Sequence, residues 1–157
     1  MKHIKTLLLL ALALAFVPAY AQDVPADNME VLRDMVQADK KAIVAEAMAL
    51  TQSEADAFWP VYDEYQDNLA EINKRYADVI KAYAKAYNEV SLDDESALAL
   101  MKTTLKIEKD ESKLKQKYYK KLKKVLPGMK VVRYLQIENK LRAIVKYELA
   151  VGIPLNE

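Results

Sequence analysis

The fold is decided by residues 51–88, which read TQSEADAFWPVYDEYQDNLAEINKRYADVIKAYAKAYN. The stretch opens on a capping box, in which the Thr51 hydroxyl accepts from the backbone of Glu54 and the Glu54 side chain reaches back. Pro60 removes one backbone hydrogen bond and is expected to kink the first turns. The stretch predicts one helix from Thr51 to about Asn88, roughly 55 Å long at 1.5 Å per residue.

The apolar residues of this helix recur at alternating steps of four and three. That spacing is typical of coiled-coil-like packing against a partner helix. We call this row the seam, and it consists of Phe58, Tyr62, Tyr65, Leu69, Ile72, Tyr76, Val79, Tyr83 and Ala86.

Three further helices are predicted, one before the seam helix and two after it. The first covers about 28–49. The third starts near Ser91 or Asp93 and ends at Leu126. The fourth opens with Pro127, a good first-turn residue, and reaches about residue 151, where Gly152 is placed to end it. The chain is therefore expected to be all-α with four helices.

The connections at 50–51, 89–92 and 126–128 are short, so consecutive helices must fold back on each other. We expect the second and third helices to form a long antiparallel hairpin, with the first and fourth packed along it. An extended hairpin leaves apolar surface exposed, and a homodimer is the simplest way to cover that surface.

The N-terminal residues carry the pattern of a secretory signal peptide. Residues 2–5 supply positive charge, residues 7–17 are an unbroken apolar run, and residues 19–21 read Ala-Tyr-Ala. The alternative, a retained membrane anchor, would need about 20 apolar residues. We expect cleavage after Ala21, a single helical domain over 22–157, and a periplasmic location in a bacterial source.

The composition excludes several classes of function. The chain has no cysteine, and its one histidine, His3, leaves with the signal peptide, so most nucleophile and metal-site chemistry is absent. The formal charge of +1 falls to −1 when Lys2 and Lys5 are removed. A dedicated nucleic-acid binder would show a strong basic excess instead. We expect no catalytic activity, no cofactor and no metal.

Aromatic residues are dense along the seam helix and form the first candidate surface. Tyrosine combines a large contact area with a polar tip, which suits an adaptable surface for apolar segments of partners. The competing interpretation is that these rings fill the core. The candidate residues are Trp59, Tyr62, Tyr65 and Tyr87.

A row of lysines on the third helix forms the second candidate surface, and steps of three and four put its members on one face. This lysine stripe either keeps the helix soluble or attracts acidic or unfolded polypeptides, or anionic lipid. It consists of Lys102, Lys106, Lys109, Lys113, Lys117, Lys120 and Lys124, of which Lys113, Lys117 and Lys120 are the candidate binding residues.

Two motifs carry a resemblance to a known family. Leu50-Thr51-Gln52-Ser53-Glu54 resembles the LTxxQ motif of the Spy and CpxP group of periplasmic stress proteins, with Glu in place of the final Gln. The family's second motif corresponds to 125–129, which keeps Leu126 and Pro127 but lacks Thr and Gln. The resemblance implies a cradle-shaped dimer that binds unfolded proteins without ATP, or a modulator of a membrane sensor.

These observations together favour an ATP-independent binding protein of the envelope, chaperone-like or an adaptor of the envelope stress response. Its partners would be unfolded or partly folded envelope proteins, or a membrane sensor domain. Two alternatives stay open. One is a regulator that docks on a membrane sensor or an anti-sigma system, and the other is a purely structural envelope protein.

The exported protein is predicted to begin at Gln22, because the cleavage pattern at 19–21 follows an apolar run too short to anchor the chain. Intact-mass measurement of the protein recovered from the periplasmic fraction should show the loss of residues 1–21. A chain that keeps those residues and sediments with membranes would contradict this prediction.

Overall fold

The computed structural model describes residues 39–155, and every regular element in that part of the chain is an α-helix. The helices are α1, described over 39–48, α2 (Gln52–Asn88), α3 (Asp94–Leu122) and α4 (Gly128–Gly152). The all-α prediction is confirmed for these residues. The predicted signal peptide and the predicted helix start near residue 28 lie outside them.

Within residues 39–155, no helix combines the length and the apolar character that crossing a bilayer would require. The described residues from Lys41 onward belong to one compact unit.

The capping box at the start of α2 is present as predicted. The Thr51 backbone N–H donates to Glu54 Oε2 at 2.9 Å, and the Glu54 N–H donates to Thr51 Oγ1 at 3.4 Å. Lys130 Nζ donates to the same Glu54 oxygen at 3.0 Å and to the Ala49 carbonyl at 2.8 Å. One ammonium therefore joins the end of α1, the start of α2 and the first turn of α4. From this junction α2 continues through Pro60 without ending.

The connection between α2 and α3 is a tight C-terminal cap followed by a new N-cap. Val90 adopts a left-handed conformation with φ 52°, and the Ser91 N–H donates to the Ala86 carbonyl at 2.9 Å. This is the Schellman arrangement, which usually places glycine where Val90 stands. Asp93 then caps α3 by accepting from the Ser96 N–H at 2.8 Å. Of the two predicted starts for the third helix, Asp93 is correct.

The connection between α3 and α4 differs from the prediction in two ways. α3 ends at Leu122 and not at Leu126, because residues 123–126 form turns before the proline. The residue before a proline is sterically pushed out of the helical region. Pro127 is the N-cap of α4, with an extended ψ of 146°, and is not its first helical residue; at the other end, α4 includes Gly152.

Side-chain pairs show the direction of each helix. Partner numbers fall along α3 as they rise along α2, so these two helices run in opposite directions; the pairs are Glu64–Lys121, Asn68–Tyr118, Arg75–Asp110 and Tyr76–Glu108. Partner numbers rise together along α2 and α4, so these two run in the same direction. Their pairs are Glu54–Lys130, Gln66–Tyr134, Asn73–Arg142 and Tyr83–Pro154.

The core is built around aromatic rings from three helices. Phe58 of α2 meets Tyr134 of α4 at 5.1 Å between ring centroids, and Tyr65 meets Tyr118 of α3 at 5.1 Å. Tyr134 OH accepts from Gln66 and donates to Glu138, so burial leaves its polar tip satisfied. Burial raises the pKa of Tyr134 far above its ordinary value, which keeps the phenol neutral.

Burial is confined to one half of the bundle. The first five seam residues, Phe58 to Ile72, are buried as predicted, whereas Tyr76, Val79, Tyr83 and Ala86 are only half-buried. Among the residues that the structure describes, every buried one lies in 44–72 or 107–138. We call residues 44–72 and 107–138 the packed half, and we call residues 76–105 and 144–155 the open half.

Candidate functional site

An apolar groove runs between α2, α3 and α4 in the open half. It encloses about 640 Å³, which falls within the roughly 300–1,000 Å³ typical of ligand pockets. Leu98 and Met101 form its rim and are 70% and 55% exposed. Its walls are mostly aliphatic and aromatic, and include Val79, Ile80, Leu92, Leu100 and Leu149.

Local sequence explains why the groove stays open. The capped start of α3 holds this helix beside the end of α2, so Leu98 and Met101, one turn apart, face the gap. The facing part of α4 carries apolar residues on every side, and Ile144, Tyr147 and Val151 are each at least 60% exposed. Exposed apolar surface of this extent indicates an interaction site.

Charged residues close the groove at its inner end. Arg142 of α4 forms a two-point pair with Glu111 of α3, with both N···O distances at 3.0 Å. Lys146, which lines the groove, approaches the same carboxylate at 3.4 Å. Nearby, Tyr76 OH donates to Glu108 at 3.2 Å. This layer separates the groove from the packed half.

The chain's own C-terminal residues lie along the outer end of the groove. α4 ends at Gly152, and Ile153 then turns extended with φ −101° and ψ 116°. Ile153, Pro154 and Leu155 all line the groove. Tyr83 OH donates to the Pro154 carbonyl at 2.9 Å. We call residues 153–155 the C-terminal segment.

The structure divides the aromatic residues that the sequence singles out. Tyr62 and Tyr65 are each 3% exposed and belong to the core, so they are not available to a partner in this structure. Trp59 is half-buried beneath Lys41, whose Nζ lies 5.1 Å from the indole centroid. Tyr87 is 38% exposed and stacks on Tyr83, beside the groove. The four rings do not form one surface, because they lie in both halves.

The lysine stripe is exposed along its whole length, from Lys102 on α3 to Lys124 in the turn that follows this helix. Lys113 lies 3.9 Å from Asp110, Lys117 lies over the Tyr118 ring, and Lys120 is exposed one turn further on. Acidic residues flank this row, so its positive field is interrupted. The stripe runs along the packed half as well as the groove, and its exposure fits both a solvated face and a binding surface.

Sequence reasoning missed the groove and the C-terminal segment. Leu98 and Met101 belong to the apolar stripe of α3, and the structure places them at the rim of the groove. One signal was available in the sequence. From 143 to 151, α4 carries apolar residues on all sides, and its only charged residues there are Lys146 and Glu148. A helix with no polar face needs covering on more than one side.

No group of three or more acidic side chains in residues 39–155 is placed to hold a metal ion. Comparison of the chain with protein-family models, with curated proteins and with solved structures finds no match.

The ion pair at the inner end of the groove makes stability depend on pH. Burial raises the pKa of Glu111, but the hydrogen bond from Arg142 and the charges of Arg142 and Lys146 outweigh it, so its pKa lies below 4.5. A carboxyl with a lowered folded-state pKa stabilises the protein fully above its unfolded pKa. This contribution is lost as the pH falls through the folded pKa.

Glu111→Gln should therefore lower the free energy of unfolding at pH 7 by about 2 to 3 kcal/mol, because Arg142 loses its charged partner. The gap from the wild type should shrink as the pH falls below the ordinary pKa of a glutamate side chain, about 4.3. Urea unfolding at several pH values measures both effects. Glu108→Gln, which removes an exposed carboxylate nearby, should change stability by less than about 0.5 kcal/mol. A gap for Glu111→Gln that is constant with pH would contradict the assignment.

Proposed function

We propose that this chain is an ATP-independent binding protein of the cell envelope that holds apolar segments of unfolded or partly folded polypeptides. It acts as a chaperone or as an adaptor of the envelope stress response. The observation that carries the proposal is the apolar groove of the open half, with the exposed Leu98 and Met101 at its rim.

Three properties of the groove support holding by reversible contact. Its lining is almost wholly apolar, so it gains free energy by removing apolar side chains from water. It is wide and open along its rim, which suits segments of varied sequence. Methionine at the rim adds an adaptable contact, since its unbranched side chain packs against irregular shapes.

The lysine stripe supports a second step, the initial attraction. Lys113, Lys117 and Lys120 are exposed to solvent, where they act over several ångströms on acidic stretches of a client. Attraction of this kind raises the rate of encounter more than the final affinity. The proposal therefore assigns capture to the stripe and holding to the groove.

The proposal includes export through the predicted signal peptide, an extended antiparallel hairpin of α2 and α3 in the mature chain, and a homodimer. Exposed apolar residues on α4, such as Ile144 and Tyr147, would suit the dimer contact. The resemblance of 50–54 to the LTxxQ motif supports the same location and class. In place of the final Gln, Glu54 supplies a carboxylate that pairs with Lys130 at 3.0 Å.

The test is suppression of aggregation by the purified protein without ATP, with reduced α-lactalbumin and one other unrelated unfolding protein as clients. The double variant Leu98→Gln/Met101→Gln should lose most of the suppression while keeping its melting temperature, because both side chains are exposed. The matched control is Met129→Gln/Val132→Gln, which changes two exposed residues at the same spacing on α4, outside the groove.

Replacing Lys113, Lys117 and Lys120 with Gln should slow capture and weaken its salt dependence, since surface charges are screened within about 10 Å at 0.1 M salt. Wild-type protein in several-fold molar excess that leaves both clients aggregating would overturn the proposal and favour a regulator that docks on a membrane sensor. Equal loss of activity in the groove variant and its control would contradict the claim that the groove holds the client.

A further inference from the structure

Part of the groove's lining is the short non-helical piece of chain that follows α4. Ile153 has the backbone angles of a strand, and in an extended chain residues two apart point to the same side. Ile153 and Leu155 stand two apart, and both line the groove. Between them, the Pro154 carbonyl accepts a hydrogen bond from Tyr83 OH at 2.9 Å.

We propose that the groove is a subsite for one extended apolar peptide segment, and that the C-terminal segment is its built-in competitor. A client segment binds with alternate side chains in the groove and a main-chain carbonyl on Tyr83, in the place that residues 153–155 occupy. This inference rests on the proposed function and names its substrate as extended polypeptide with apolar residues two apart.

The hydrogen bond from Tyr83 is what selects a peptide over an acyl chain. A phenol that donates to a carbonyl partway along its ligand suits a polypeptide, because a polypeptide backbone presents a carbonyl at every residue. An acyl chain has none along its length, so its binding would leave the exposed Tyr83 hydroxyl to water and would lack the contact that a backbone carbonyl adds. The polar residues at the inner end are paired with each other, as Tyr76 is with Glu108.

The C-terminal segment is well suited to leave the groove. Pro154 and Leu155 are exposed and Ile153 is half-buried, so few contacts hold them beyond the Tyr83 hydrogen bond. Gly152 precedes the segment, and a β-carbon added there would meet no neighbouring atom within 4 Å. Displacement therefore disturbs only the last turn of α4. As an intramolecular ligand, the segment acts at an effective concentration of roughly millimolar.

The experiment uses a fluorescein-labelled synthetic peptide with the sequence of residues 150–155, whose binding is followed by fluorescence anisotropy. A chain that ends at Gly152 should bind it at least about tenfold more tightly than the full chain, as expected when an occupant present in about nine molecules of ten is removed. In the full chain, the double variant Ile153→Asn/Leu155→Asn should also tighten peptide binding. This variant takes the place of the truncated chain if truncation lowers the melting temperature.

Two controls test the contacts. In the truncated chain, Tyr83→Phe should weaken peptide binding about threefold to tenfold, the effect of one lost hydrogen bond. Tyr147→Phe, at an exposed position on α4 outside the groove, should leave it unchanged. A labelled peptide with Asn at both positions corresponding to Ile153 and Leu155 should not bind.

Equal peptide affinity of the full and truncated chains would contradict the role of the C-terminal segment as a competitor. An unchanged peptide affinity of the Tyr83→Phe variant would contradict the proposed hydrogen bond between Tyr83 and the peptide backbone. A labelled fatty acid that binds the truncated chain more tightly than the peptide does would overturn the ligand class. These failures are separable from failure of the proposed function. If the protein suppresses aggregation but truncation does not change peptide affinity, the proposed function is supported and this subsite is contradicted.

Discussion

The structure depends on the packing of aromatic rings between α2, α3 and α4. With no cysteine to staple the chain and few side chains from α1, the contacts of Phe58 and Tyr65 with Tyr134 and Tyr118 bring three helices together. The buried phenols of Tyr118 and Tyr134 are hydrogen-bonded; Tyr118 OH, for example, donates to the Glu64 carbonyl at 3.2 Å. Because such rings bury a large area each, a small number of them holds one half of the bundle.

That same concentration of aromatic residues leaves the other half without a core. In the open half, no described side chain of α2, α3 or α4 is buried. Apolar residues that would normally pack inward instead line a groove and its rim. Elements with few buried contacts open at low free-energy cost, which suits a surface that must accept varied segments. Stability and the proposed binding are thus divided between two parts of one bundle.

Local chemistry made the starts of α2 and α3 predictable, whereas the extent of the core was not. The Thr51–Glu54 and Asp93 caps involve residues three apart, so sequence spacing alone indicates them. The prediction of the seam as a buried row was correct as far as Ile72. Burial stops there, although the apolar pattern continues through Tyr83. Burial there requires facing side chains from α4, whose position along α2 depends on long-range contacts such as Lys130 with Ala49. The C-terminal segment had no periodic signal at all.

The central claim is that the packed half carries the stability and the open half carries the binding. Amide hydrogen exchange, measured with and without an unfolded client, tests it most directly. The account predicts slow exchange in 57–72, 108–122 and 131–138, faster exchange in 76–104 and 144–153, and client-induced protection confined to the second group. Uniform protection along α2, or client-induced protection confined to the packed half, would contradict it.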